Sequence, residues 1–355
     1  MRLTVLDTSF SKIEPIDIFQ SLIWTDRYSS YGDFEFVTQA SEEILFSLQE
    51  DYYLQLPESE HMMVVETLNL KTDIEEGNKF IAKGRSLESI LDRRIVWNQT
   101  TLNGSLQDGI KKLLDENAIV PSDGDRKISN LIFQSSTDPN VTSLSVDEQY
   151  RGENLYDVIM GLCSNSGIGF KITLSSDNKF VFTLYSGSDR SYDQILNPHI
   201  VFSPNTDNIS NTNYIHSKIP YKTVTLVGGE GDGSARKTIH VVLPGGETEL
   251  NRREIFTDAR DVSSLVNGVT ISDAQYATLL ANRGLLNLID NSQSSSFDGK
   301  VDPSTTYVYG TDFFMGDIVQ IANEYGISGK AKVTELIFSE DLTGSDIYPS
   351  FEMIE

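Results

Sequence analysis

Cysteine is nearly missing from this sequence: Cys163 is the single one in 355 residues. An intrachain disulfide and a multi-cysteine metal site are thereby excluded, and a reducing cytoplasm is the expected compartment for folding. Histidine is scarce as well. His61, His199, His216 and His240 form neither H-E-x-x-H nor any i, i+4 pair, so the zinc-hydrolase pattern is lacking and each is expected to be an ordinary surface or core residue. There is no G-x-S-x-G and no G-x-x-x-x-G-K-[ST], which removes the nucleophile elbow and the phosphate loop. No apolar run approaches the length of a bilayer span. The opening "MRLTVLDTSFSKIEPIDIF" is interrupted by Asp7, so neither a secretory leader nor membrane insertion is expected. Basic charge is in deficit, with 28 Lys and Arg against 52 Asp and Glu, net −24. Such a surface repels nucleic-acid phosphates and anionic lipid.

What remains is a folded acidic protein, with hydrophobic residues at 39% and a length that predicts more than one domain. The first hundred residues read as strands: "LTVLD", "SLIWTDRY", "FEFVTQ", "YYLQLP" and "MMVVETLNLKT", separated by turn residues such as Gly32-Asp33 and Pro57. After Ser86 as N-cap, Leu87, Ile90, Leu91 and Ile95 share one helical face, which predicts a short helix. Two more helices follow. "SLQDGIKKLLDEN" begins at Ser105, which with Asp108 approximates a capping box, and "ENLYDVIMGLCSNSG" ends near Gly167 as the C′ residue. The latter puts Cys163 in an apolar stripe, where desolvation disfavours a thiolate.

Two strands, "IGFKITL" and "KFVFTLYSG", come next, and then the polar, linker-like "SPNTDNISNTN". "YKTVTLVGG" and "RKTIHVVLP" predict a hairpin with a long glycine-rich tip. That tip, "GGEGDG" from Gly228 to Gly233, carries Glu230 and Asp232 and so repels phosphate. Neither it nor "SDGDRK" at 122 to 127 has EF-hand ligand spacing. The clearest helix covers 272 to 290, with Ala277, Leu280, Gly284 and Leu288 in one row flanked by Leu279 and Leu286. Strands return at the end. These residues point to no catalytic group, metal ligand or cofactor site, although 52 acids leave a two-carboxylate glycosidase site neither located nor excluded.

The segment "GRSLESILDRRIV", 84 to 96, places Arg85, Arg93 and Arg94 in thirteen residues of an acid-rich chain. In the last turn of the predicted helix a cation gains about 0.3 to 1 kcal/mol from the helix dipole. A dipole accounts for one arginine better than three, and guanidinium forks suit carboxylates at subunit contacts. Both readings stand at this point.

"WTDRYSSYGDFEF" (24 to 36), "MMVVETLNL" and "GRSLESILDRRIV" together closely resemble the N-terminal part of a siphophage tail protein family related to the baseplate hub of contractile phages. "QYRGENLYDVIMGLCSNSGIGFKI" (149 to 172) is similar to the helix-then-strand segment of phage hubs and type VI secretion spikes. "YGTDFFMGDIVQIANEYGISGKAKVTELIF" (309 to 338) looks like the closing barrel of those hubs, where a Gly-Asp turn feeds two strands. The resemblance implies a mainly β fold with α+β parts: two small tail-hub β-barrels and a mixed α/β peripheral domain. It places the first barrel in 1–97, the peripheral domain in 98–216, the second barrel in 217–260 and 300–355, and a helical insertion packing on the peripheral domain in 261–299. The structural or interface positions it marks are Trp24, Arg27, Gly32, Phe34, Gly84, Arg85, Leu87, Arg93, Arg94, Gly316 and Asp317.

The implied function is structural and not enzymatic. It is a homotrimeric hub at the virion tail tip of a phage or prophage, continuing the tail tube as a channel for the tape-measure protein and DNA in transit. A distal tail protein or the tube, and tail-tip spike or receptor-binding proteins, are the implied partners. The alternatives are the hub of a contractile bacteriocin or secretion device, and a carbohydrate-active enzyme. From Val301 to Glu355 ten acids face Lys330 and Lys332, net −8, so some of these acids are expected to line the channel and let DNA slide.

Overall fold

In the computed structural model all residues are described except 14, 76, 247, 267, 302–306 and 355. Backbone hydrogen bonds gather twelve strands into one large sheet. Its main path runs Thr4–Leu6, Tyr53–Gln55, Met62–Lys71, Lys79–Ser86, Asp33–Gln39, Ser21–Arg27, Ser328–Asp341, Gly344–Ile354, Ser294–Val301 and Ile209–Ser217. Ile318–Ala322 adds to Ser328–Asp341, and Val201–Phe202 pairs with it in parallel. The junction between the two ends of the chain is antiparallel, with Ser21 opposite Asp341 through to Arg27 opposite Glu335. Trp24 and Phe338 face each other across it, both buried. A single core, from Leu3 to Phe351, follows this continuity.

The mainly β, α+β class expected from the sequence is present, but its division into two closed barrels is not. Among the described residues no sheet closes on itself. Instead a strand from the range assigned to the first barrel, Ser21–Arg27, pairs with one from the range assigned to the second, Ser328–Asp341. The strands between 224 and 258 also stay apart from the large sheet. Thr238–Val242, Val224–Gly228 and Glu254–Asp258 make a separate three-stranded sheet, the last pair parallel. Conversely, Ser294–Val301 and Ile209–Ser217 belong to the large sheet. The latter lies partly in the stretch read as a linker, because its exposed polar residues suit an edge strand as well as a loop.

"MMVV" explains how the large sheet meets the next layer. Met63 and Val65 point into the core of the sheet, while Met62 and Val64 point into a second core. A strand covered on both faces reads as an unbroken apolar run, not as an alternation. The second core holds the helices Leu106–Leu114 and Leu155–Asn165 and the sheet of Leu131–Gln134, Phe180–Tyr185 and Gly169–Leu174. As expected, Ser105 accepts from Asp108 N–H at 3.3 Å. Gly167 follows the Ser166 C-cap with φ +69, and Cys163 is buried, its thiol pushed well up by desolvation.

A third, smaller core lies under the helix Asp273–Asp290, which opens with a full capping box between Ser272 and Gln275. Gly284 lets this helix sit on the Val224–Gly228 sheet: a Cβ there would lie 2.7 Å from Val227 Cγ2. No described helix is long and apolar enough to cross a membrane.

Gly84 marks the tightest backbone approach in the large sheet. The pairing of Met62–Lys71 with Lys79–Ser86 slips between Val65 and Thr67, and a Cβ on Gly84 would lie 1.7 Å from Val64 O and 2.9 Å from Phe34 Cε1. Gly84→Ala is therefore expected to cost about 1–3 kcal/mol through forced backbone movement. Urea denaturation of the full chain checks this, and an unchanged midpoint would show that the bulge relaxes freely.

Candidate functional site

The residues marked by the sequence divide into an interior group and a rim pair. Trp24 is fully buried, its Nε1–H donates to Asp26 Oδ1 at 2.9 Å, and its ring packs on Phe34 with centroids 6.2 Å apart. Arg27 ties the junction of the two chain ends, with Nε 2.6 Å from Glu335 and Nη1 2.5 Å from Asp33. Gly32 N–H donates to Ser86 Oγ at 2.8 Å. Arg85 grips Glu66 through two bonds of 2.7 and 2.8 Å, reaches Asp92 at 3.0 Å, and lies over the Tyr31 ring.

Leu87 starts a turn of 3-10 helix, Leu87–Arg93, shorter than the predicted helix. Arg94 is already extended, and Ile95 is exposed in a bridge to Asn154. The Ser86 hydroxyl does not cap this turn, because it donates to Glu88 and accepts from Gly32. Arg93 meets Asp51 at 3.2 Å where both are exposed, and Arg94 donates to two carbonyls, Arg126 O and Arg93 O. Of the three clustered arginines, only Arg85 holds half-buried carboxylates, and they are its own chain's.

Gly316 and Asp317 approach the interior group through Tyr28. Gly316 has φ +87, and a Cβ on it would lie 2.2 Å from the Tyr28 ring. Asp317 is buried and accepts from Ser188 N–H, Phe314 N–H and Arg190 Nε at 2.7, 3.0 and 2.6 Å. Tyr28 also donates to Gly167 O at 3.2 Å, so the Gly-Asp turn helps join the large sheet to the mixed segment.

Two buried charge clusters escaped the sequence reading. In the first, His61 Nδ1 lies 3.2 Å from Glu88 Oε1, and Glu88 also accepts from Ile172 N–H at 2.7 Å and from Ser86 Oγ. Asp26 stands close by, accepting from Ser59 Oγ at 2.6 Å and from Trp24. Burial opposes the charge on His61, but Glu88 and Asp26 outweigh it and hold the imidazole up at about 9, against the smaller opposing effect of Lys171. For Glu88 burial raises and His61 lowers, with a net fall, while burial raises Asp26. The cluster is an internal ion pair that joins the sheet, the 3-10 turn and Gly169–Leu174. Nothing local in the sequence pairs position 61 with position 88.

The second cluster surrounds Arg283, on the buried face of the helix Asp273–Asp290. Its guanidinium reaches Glu153 at 2.9 Å, Asp261 at 3.0 Å, Glu148 at 3.8 Å and the carbonyl of Gln149, and lies 4.8 Å above the centre of the Tyr150 ring. One cation thus serves three acids. Burial pushes Glu148 up to about 8 and Glu153 up to about 7, with Arg283 only partly offsetting it. A signal was present in the sequence: Arg283 falls three residues after Leu280, on the apolar stripe itself.

No described group of three or more His, Cys, Asp or Glu is placed to hold a metal. A family model of the Siphovirus ReqiPepy6 Gp37-like protein matches residues 2–348. The chain belongs to this family. Among curated proteins none matches it. Its fold is that of tail proteins of known structure. The tail protein from Neisseria meningitidis MC58 superposes with TM-score 0.59 at 13% identity, covering 99% of this chain and 95% of that one. The 43 kDa tail protein of prophage MuSo2 from Shewanella oneidensis gives 0.58 at 12%, covering 99% and 98%. Prophage tail protein gp18 from Listeria monocytogenes EGD-e gives 0.52 at 15%, covering 99% and 94%.

Within this family chain the two clusters respond to pH in opposite ways when broken. His61, held above its ordinary 6.5, contributes stability that is complete below that value and lost as pH rises towards about 9. His61→Gln is expected to cost most near neutrality, about 3–5 kcal/mol for an orphaned buried Glu88, and progressively less towards pH 9. Arg283→Met should behave inversely. Glu148 and Glu153, held above their ordinary value, keep their protons at low pH and need the cation only when ionised, so the loss should grow between about pH 5 and pH 8. Denaturant melts across this range test both, and pH-independent losses would contradict them.

Proposed function

We propose that the chain is a structural hub of a phage or prophage tail tip, a homotrimer whose ring continues the tail tube and passes the tape-measure protein and DNA. The carrying observation is that one siphovirus family model spans residues 2–348. Fold agreement with three tail proteins over 99% of the chain supports it. In this reading the large sheet, with its strands Val201–Phe202 and Ile209–Ser217, supplies the tube-like part, and the mixed segment 98–200 and the helix Asp273–Asp290 stand at the periphery. Distal tail protein or tube on one side, and spike or receptor-binding proteins on the other, are the partners. The role is scaffolding and not catalysis. Several acids of the C-terminal region serve contacts within the chain: Asp317 binds Arg190, Glu335 binds Arg27, and Asp346 pairs with Lys300 at 2.6 Å.

We assign the rim pair Arg93 and Arg94, which hold no buried acid of their own chain, to contacts between subunits. Exposed acids of the C-terminal strands, Glu324 and Glu352 among them, are assigned to a net-negative inner wall. Asp302 and Glu355, counted in the sequence reading, lie outside the described residues. An acidic wall offers phosphates no counterions to displace, so DNA passes without being held.

The test is solution mass together with negative-stain imaging, with and without a tube or distal tail protein. A trimeric ring that does not retain duplex DNA at physiological salt is expected. A monomer at high concentration that forms no ring with those partners would contradict the hub, and salt-sensitive DNA binding would contradict the acidic wall.

A further inference from the structure

The separate sheet of Val224–Gly228, Thr238–Val242 and Glu254–Asp258 is covered on one face only. Thr225, Val227 and Val241 lie under the helix Asp273–Asp290, where Gly284 allows close approach. On the opposite face the register aligns His240, Leu226 and Phe256 in one row across the three strands. Polar residues are expected there if the face meets water. Instead Leu226 is 49% exposed and Phe256 50% exposed, and with Val224 and Val242 they line an open groove of about 760 Å³. Arg252 and Glu254 pair at its edge, and Arg236 lies over the Phe256 ring.

Charge indicates the occupant. Residues 217–260 carry seven Lys or Arg against six Asp or Glu, net +1, leaving −25 on the remainder of a chain of net −24. Two copies of such a chain repel each other over most orientations. A segment of this charge can meet the acidic body of another copy without like-charge repulsion, and this one also carries the apolar face.

We propose that the outer face of this sheet, centred on Leu226 and Phe256, is the surface by which one copy docks on the acidic body of the next. A contact between unlike surfaces closes into a ring when the rotation permits, so the inference deepens the ring reading and rests on it.

The test compares the full wild-type chain with Leu226→Asp/Phe256→Asp and with Tyr325→Asp. Tyr325 is 85% exposed at a hairpin of the large sheet and serves as a control for added charge at another exposed aromatic. Light scattering over a concentration series gives the association, and thermal melting reports folding. The double variant is expected to associate at least about tenfold more weakly, since it loses two side chains' worth of apolar burial. Its melting should be unchanged, and Tyr325→Asp should associate like wild type. If wild type forms rings and the double variant does so equally well, the docking face is refuted and the ring stands. If the Tyr325 variant weakens as much as the double variant, the effect is general charge and the proposal fails. A wild type that stays monomeric, also with its tube partner, overturns both. Should the double variant melt earlier, Leu226→Ser/Phe256→Ser, which adds no charge, must reproduce the weakened association at unchanged melting or the proposal is withdrawn.

Discussion

The pairing of Ser21–Arg27 with Ser328–Asp341 is the constraint on which the rest of the molecule depends. It converts strands from the two ends of the chain into one sheet with one core. It also positions Tyr28, directly after its last residue, against Gly169 and Gly316. Arg27 holds the seam's end by bonding Asp33 on one side and Glu335 on the other, 308 positions away in sequence. Loop closure on that scale is entropically costly, so the contacts that reward it must be numerous. The buried Trp24, Leu336 and Phe338 provide them.

Around this seam the protein places its ionic groups inside as well as outside. His61 with Glu88, Asp317 with Arg190, and Arg283 with its three acids each join segments distant in sequence. Paired charges of this kind add little net stability compared with well-packed apolar groups, but breaking one leaves a costly orphan. They therefore penalise misregistered packing. In the proposed hub role, fixed relative placement of segments would matter more than depth of stability.

Local features were legible in the sequence because their causes are local. The cap of Ser105 on Asp108, the C′ position of Gly167 and the hairpin around "GGEGDG" each follow from residues within a few positions of one another. The positions that the family pattern marked fall in several places: Trp24 and Phe34 in the core, Gly84 at the bulge, Gly316 over Tyr28. Pairing across the whole chain was not legible. Strand periodicity identifies strands but does not say which strands pair, so two closed barrels were expected where one continuous sheet is found. His61 and Glu88 meet through that same long-range pairing. Arg283 was hidden for a different reason, since an arginine on an apolar stripe reads as solvated until its acids are known to converge on it.

The −24 charge then becomes a constraint on assembly. Copies of a chain this acidic repel over most orientations, and the proposed docking matches a less acidic surface to an acidic one. A reconstruction of the tail tip from particles carrying this chain tests the hub assignment most directly. Threefold density on the tube axis, with the large sheet facing the lumen, is predicted. Density for this chain off the axis, in a fibre or as isolated single copies, would contradict it.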